Sequence, residues 1–237
     1  MKVTIINKTQ NAEELLIFTK NTRLNMSASM MEEIRNWPEE RKAAELDYMA
    51  STIKSSWEFV DVVFLIEGVT RATAQQITRT RNASYAMQSQ RVVDARDIPV
   101  TNPIPADKII EHNLYEDAIW AAKSFYTRLA DNGVPLEDAR GVLPINTQCN
   151  LVAKYNLRAL TDVVKARKSL RAQGEYASIA RKMEEAVIEV WPWTAAFFKG
   201  DNDIAIAMLE EVAKNIGITT GKGDGWQIAK AIDLLRK

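Results

Sequence analysis

Residues 79–91 read RTRNASYAMQSQR. The stretch holds Arg79, Arg81 and Arg91, the hydroxyls of Ser84 and Ser89, the amides of Asn82, Gln88 and Gln90, and Tyr85, with no acidic residue. At about 100° per residue, a two-residue step turns Arg79 and Arg81 to nearly opposite sides of a helix, whereas on a strand they share one face. A solvated basic helix interleaves Glu or Asp at i,i+4, and this run does not. Arginine grips phosphate with two parallel donors, and hydroxyls and free backbone N–H groups complete such sites. Two readings stand on the residues alone: an anion site, or a solvated surface segment with scattered ion pairs.

Composition narrows what lies around the stretch. In 237 residues, Lys+Arg and Asp+Glu number 31 each, so the formal net charge is zero. A balanced chain has no overall attraction for nucleic acid or an anionic membrane, and any anion binding is local. Hydrophobic residues at 46% and charged residues at 26% are ordinary for a globular protein. The length suits one large domain or two small ones. MKVTIINKTQ lacks the apolar run of a signal peptide, and no stretch approaches the ~20 apolar residues of a membrane span. A cytoplasmic protein with no membrane or nucleic-acid partner is expected. The single Cys149 excludes an internal disulfide and fits a reducing compartment.

His112 is the sole histidine, so one subunit cannot assemble a His/Cys metal site. A Ser-His-Asp or Cys-His arrangement would need His112 itself. It lies in ADKIIEHNLYEDAIW, an amphipathic helical pattern, and reads as a partly exposed helix residue. An enzyme built on this chain relies on carboxylates, arginines or a cofactor.

Ahead of the stretch, WEFVDVVFLIEG is rich in β-branched and aromatic residues, and 58–67 reads as a buried strand closed by Gly68. Thr70 is a candidate N-cap for a helix over 71–80. ASYAMQSQRVVD reads as extended or irregular, with Ser89 and Arg91 on one extended face, and DIPVTNPIPAD as a loop. A long helix over 106–131 ends at Gly133. A short helix starts at Pro135, and INTQCNLVAKYN forms a second strand. Helices follow in NLRALTDVVKARKSL, with Leu157, Leu160, Val163 and Val164 on one stripe, and in GEYASIARKMEEAVIEVW. The N-terminal third reads as mostly helical, and the tail as two further amphipathic helices. The fold class is α+β, helix-dominated around a small central sheet.

Other motifs are weak. GKGDG at 221–225 lacks the spacing and preceding strand of a phosphate loop and reads as a turn. Glu39/Glu40 and Glu184/Glu185 lie on solvated helical faces, and Trp191 and Trp193 pack a terminal helix. Arg140, in EDARGVLP, sits beside an apolar run. Arg158 and Arg167 are nine apart, about two and a half turns, and so do not share one helix face, while Arg171 shares that of Arg167.

RTRNASYAMQSQR resembles the signature of the flavin-dependent thymidylate synthases, which runs Arg-His-Arg, seven residues, then Ser. Arg79, Thr80 and Arg81 take the first three places and Ser89 the last. GVPLEDARGVLP, YNLRALTDVVKARKSLRAQGE and WPWTAAFF are similar to three further blocks of that family, in order, over roughly residues 45 to 198. The resemblance implies a homotetramer with sites shared between subunits. It implies FAD as cofactor, dUMP as substrate, methylenetetrahydrofolate as one-carbon donor and NADPH as reductant, with no cysteine attacking the base. By position, Gln76, Arg79, Ser89, Gln90, Arg91 and Arg140 would hold the nucleotide, Arg91 and Arg140 at its phosphate. Arg167 would sit at the pyrimidine ring as the catalytic residue. Ser55, Arg79, Thr80, Arg81, Asn156, Arg158 and Asp162 would line FAD. Residues 1–198 would form the catalytic domain and 199–237 a C-terminal helical extension.

The departures gather at the chemistry. Thr80 replaces the signature's central histidine, Met87 a glutamate, Asp162 a flavin-contacting asparagine, Arg171 a histidine and Val92 a tyrosine. Lys54 and Gln75 replace two further histidines. The first expectation is reductive methylation of dUMP to dTMP. A related flavin- and folate-dependent C5 hydroxymethylase acting on dUMP or dCMP is the alternative, and an inactive nucleotide-binding homologue a third.

Overall fold

The computed structural model of the chain describes residues 1–21, 26–52, 54–167, 174–199 and 209. Arg171, the 221–225 turn and the expected tail helices lie outside the described residues, as does nearly all of the 199–237 extension. The elements in order are β1 (Lys2–Lys8), α1 (Ala12–Lys20), α2 (Ala28–Arg35), α3 (Glu39–Ala50), β2 (Asp61–Thr70), α4 (Arg71–Ile77), β3 (Ala83–Met87), α5 (Ile109–Asp131), α6 (Leu136–Ala139), β4 (Gln148–Asn156), α7 (Leu157–Arg167) and α8 (Gly174–Val190). Short 3₁₀ segments cover Lys54–Phe59, Arg140–Val142 and Pro192–Phe198.

The sheet is antiparallel, in the order β1-β2-β4-β3. Its inner face follows the period of two that strands impose. Val62, Phe64 and Ile66 of β2 and Cys149, Leu151, Ala153 and Tyr155 of β4 are buried. The strand expected over 58–67 runs later, because Lys54–Phe59 winds into a 3₁₀ turn. That turn sinks Trp57 against Phe197, with ring centroids 4.5 Å apart. Gly68 does not close the strand. It sits at φ 68° within a register shift between Ile66 and Val69, and its N–H donates to Asn150 Oδ1 at 3.0 Å. Beyond this bulge, Thr70 caps α4 as expected, its side chain accepting from Thr73 N. The helix ends at Ile77, three residues earlier than the expected 80.

The stripe Leu157, Leu160, Val163 and Val164 is buried as its spacing implied. With Tyr176, Ile179, Met183 and Val187 of α8 it joins one core with the sheet. β1 was not foreseen in the reading of the N-terminal third as helical. It is an edge strand whose residues are all at least partly exposed, with only Val3 and Ile5 packed on the core. Trp191 and Trp193 stack at 5.9 Å beside the terminal 3₁₀ segment rather than a helix.

The long helix α5 begins at Ile109, three residues after the expected start, and is ended by Gly133 at φ 80°. It buries Tyr126 in a small cluster with Ala95 and Ala139. Its opposite side leaves Ile110, Leu114, Trp120 and Phe125 exposed. His112 is a partly buried helix residue whose Nδ1 lies 2.7 Å from Ile104 O. No helix among the described residues is long and apolar enough to cross a membrane.

A Cβ added at Gly68 would lie 3.2 Å from Gln148 Oε1, on a backbone conformation that L side chains avoid. Gly68→Ala is expected to lower unfolding stability by about 1–2 kcal/mol, read as an earlier urea midpoint with an unchanged slope.

Candidate active site

Register places the first half of the site. Asp61 at the start of β2 pairs with Asn156 at the end of β4, and Ala83 at the start of β3 pairs with Tyr155. The segments that enter β2, enter β3 and leave β4 therefore meet at one end of the sheet. There Glu58, Asn82, Asn156, Arg158 and Asp162 line a cleft of about 480 Å³. An adjoining cavity of about 230 Å³ shares Asn82 and Asp162 and adds Thr80 and Arg167. Asn156 also opens α7, its Oδ1 accepting from Ala159 N at 2.8 Å, so one residue both caps the helix and edges the cleft.

The floor of this trough is one face of α7. Ala159, Asp162, Val163 and Ala166 follow i, i+3, i+4, i+7 spacing. Arg158 and Arg167, about half a turn out of phase, do not share that face; they straddle it. Arg158 is held by Glu58 at 2.6 Å, both groups being half-exposed. Asp162 is exposed in both cavities.

A third cavity of about 450 Å³ lies on α4, lined by Ala72, Gln75, Gln76, Arg79 and Ile145. Arg79 and Arg81 follow the end of this helix and are both exposed. Ser55 is exposed on the same 3₁₀ turn as Glu58.

The remaining arginines gather at the opposite end of the sheet, beyond Met87 and ahead of Gln148. Arg91 places Nε and Nη2 at 2.8 and 2.7 Å from Glu137 Oε2. Arg140 donates from Nε to the backbone carbonyl of Glu137 at 3.0 Å. Ser89 and Arg91 do not lie on an extended segment. Ser89 Oγ accepts from Arg91 N, and Ser89 O accepts from Val93 N, which folds 89–93 into a turn. Gln90 inside this turn is buried, and its Nε2 has no hydrogen-bond partner among the described residues. A buried amide donor left unpaired is costly, and a ligand acceptor would relieve it. None of the cavities described above includes both Arg91 and Arg167.

Two tyrosines support the motif from below. Tyr85 donates from its hydroxyl to Thr80 O at 3.1 Å, and its oxygen lies 3.1 Å from that of Tyr155. Burial pushes both phenols up, Tyr155 far more strongly. Met87, on the same strand face as Tyr85, packs on the core. Cys149 is buried in β4, and burial pushes its thiol up.

Glu58, Asn82 and Glu137 were not singled out from sequence. Glu137, three residues before Arg140 in PLEDARG, carried a helix-spacing signal; Glu58 and Asn82 reach the cleft only through strand register.

The sequence profile of the thymidylate synthase complementing protein family matches residues 4–193. The flavin-dependent thymidylate synthase of Geobacter sulfurreducens is 30% identical over 200 residues, covering 81% of this chain and 84% of its own. That of Sulfolobus acidocaldarius is 30% identical over 205 residues, covering 81% and 74%. That of Sulfurisphaera tokodaii reaches 39% over 132 residues, covering 54% and 51%. Among solved structures, the UMP/dUMP methylase PolB of Streptomyces cacaoi, bound with 5-Br dUMP, matches with a TM-score of 0.65 at 22% identity. It covers 83% of this chain and 94% of that one, and the likeness is one of fold.

The buried phenols make a pH prediction. Tyr155 keeps its proton in the folded protein to a higher pH than the unfolded value of about 10. Above that pH the folded state binds more protons than the unfolded one, so stability falls as pH rises. Urea midpoints at about pH 9 and about pH 11 are expected to drop steeply in the wild type and less steeply in Tyr155→Phe.

Proposed function

The chain belongs to the thymidylate synthase complementing protein family, that of the flavin-dependent thymidylate synthases, and from that premise we propose that it is a C5 one-carbon transferase. Its reaction is the reductive methylation of dUMP to dTMP, with FAD as cofactor, methylenetetrahydrofolate as carbon donor and NADPH as reductant. The observation that carries this reading is Arg167 at the end of α7, facing a cavity with Thr80 and Asp162 that opens into the Asn156–Arg158 cleft.

The donor set fits the ligands. Asn156, Arg158, Thr80 and Asp162, with Ser55, Arg79 and Arg81, would hold FAD; the larger cleft is within the ~300–1,000 Å³ of ligand pockets. Arg91 and Arg140 would take the nucleotide phosphate in place of Glu137, with Ser89 and the unpaired Gln90 amide beside it. Gln76 and Arg79 would hold the nucleotide from α4. Held there, a reduced flavin would supply hydride chemistry for completing the methyl group. The Arg167 guanidinium, placed at the pyrimidine, favours loss of the N3 proton and raises electron density at C5. Cys149 is buried with a raised thiol, so it offers no thiolate to attack the base.

Two further parts of the proposal have their own support. None of the cavities described above holds both Arg91 and Arg167, and α5 exposes Ile110, Leu114, Trp120 and Phe125. Both suit a homotetramer whose sites are completed between subunits. The unpaired Cys149 suits a cytoplasmic location. Residues 1–198 are the catalytic unit, with 199–237 as an extension.

A second reading rests on Thr80 and Asp162, two departures from the family pattern that line the same cavity as Arg167. A reactive centre changed at two walls suits water trapping the exocyclic methylene, which yields a 5-hydroxymethyl nucleotide from dUMP or dCMP. Purified protein is expected to be yellow and to convert dUMP with methylenetetrahydrofolate and NADPH into a product with the mass of dTMP. The mass of 5-hydroxymethyl-dUMP would select the second reading, and protein that takes up no flavin would overturn both in favour of an inactive nucleotide-binding homologue. Arg167→Ala is expected to lose about 100-fold or more in turnover while retaining flavin absorbance.

A further inference from the structure

Arg167 closes α7 with its guanidinium carbon 4.5 Å from the centroid of the Tyr176 ring. Tyr176 is 1% exposed and lies in the first turn of α8. Its hydroxyl has no hydrogen-bond partner among the described residues. Buried phenol hydroxyls normally find one, so hydrogen bonding does not explain a tyrosine at this position. What the position does supply is a ring face, a rigid platform beneath the Arg167 guanidinium, which faces Thr80 and Asp162 from the end of α7.

We propose that Tyr176 is a positioning residue for the reaction assigned above, its ring face fixing the plane of the Arg167 guanidinium. All N–H donors of a guanidinium lie in its plane, so contact with a ring through the face leaves them available and sets their direction. The platform is itself anchored. Glu175, the residue before Tyr176, accepts from the Thr70 hydroxyl at 2.5 Å, the Thr73 hydroxyl at 2.6 Å and Thr70 N at 3.0 Å. Those three donors lie at the start of α4, the helix that carries Gln76. One carboxylate therefore ties the support of Arg167 to the element presenting Gln76, and a guanidinium at N3 is held in fixed relation to the other side of the nucleotide site.

The inference rests on the proposed reaction, and the experiment separates the two. Wild type, Tyr176→Phe, Tyr176→Met and Glu175→Ala are compared for melting temperature, flavin content, kcat, nucleotide KM and the pH at which kcat rises. Tyr176→Phe, which keeps the ring, is expected to match wild type. Tyr176→Met, which fills the space without a ring, is expected to lower kcat by about 2- to 30-fold. The rising limb of its pH profile should move to higher pH, with flavin content unchanged. Glu175→Ala is expected to move the limb in the same direction, and it decides the matter should Tyr176→Met not fold. A purely structural role would lower the folded fraction and leave the limb in place. Wild type without turnover sinks the reaction; active wild type with an unmoved limb in the folded variants sinks the positioning role. Tyr176→Phe as impaired as Tyr176→Met would sink it as well, by assigning the effect to the hydroxyl.

Discussion

The site depends on the antiparallel register of β2, β4 and β3. Asp61 opposite Asn156 and Ala83 opposite Tyr155 bring three chain segments far apart in sequence to one end of the sheet. A slip of one residue would turn every inward side chain of the strand outward, so the core and the cleft are fixed by the same pairing. The buried alternation of Val62, Phe64 and Ile66 against Leu151, Ala153 and Tyr155 locks that register. The cleft is a by-product of a packed sheet end, and its residues need no special local conformation to meet.

What was legible in the sequence is what local physics encodes. A run of β-branched and aromatic residues announced β2, the Thr70 cap announced α4, and the spacing of Leu157, Leu160, Val163 and Val164 announced the buried side of α7. β1 packs only Val3 and Ile5 on the core, and as an edge strand it buries too little to stand out. The 89–93 turn has no Gly or Pro; it is made by the Ser89 hydroxyl on Arg91 N, a contact composition does not reveal. The resemblance singled out the arginines as a group, while Glu137, 46 residues from Arg91, and Tyr176 under Arg167 emerge only in three dimensions.

The departures from the family pattern divide along the same line. Met87 packs on the core beside Tyr85, so its apolar side chain is accommodated by the fold. Thr80 presents its backbone carbonyl to Tyr85, a bond that any residue at position 80 could make. Its side chain is thereby released from a structural duty and faces the cavity. Asp162 is exposed on the trough floor with no core to satisfy. Substitution at 87 is a packing matter, whereas substitution at 80 and 162 changes the lining of the cavity.

If Arg91 takes the nucleotide phosphate as proposed, its pairing with Glu137 makes that capture an exchange rather than an addition. An incoming group would displace a solvent-exposed carboxylate that already holds both Nε and Nη2. A singly charged ligand would replace like with like, so little would be gained. A phosphate dianion brings a second charge and a third oxygen, enough to engage Arg140 as well. On the proposed reading, the exposed Arg91–Glu137 pair would bias the loop modestly toward a ligand carrying a terminal phosphate over a simple monoanion.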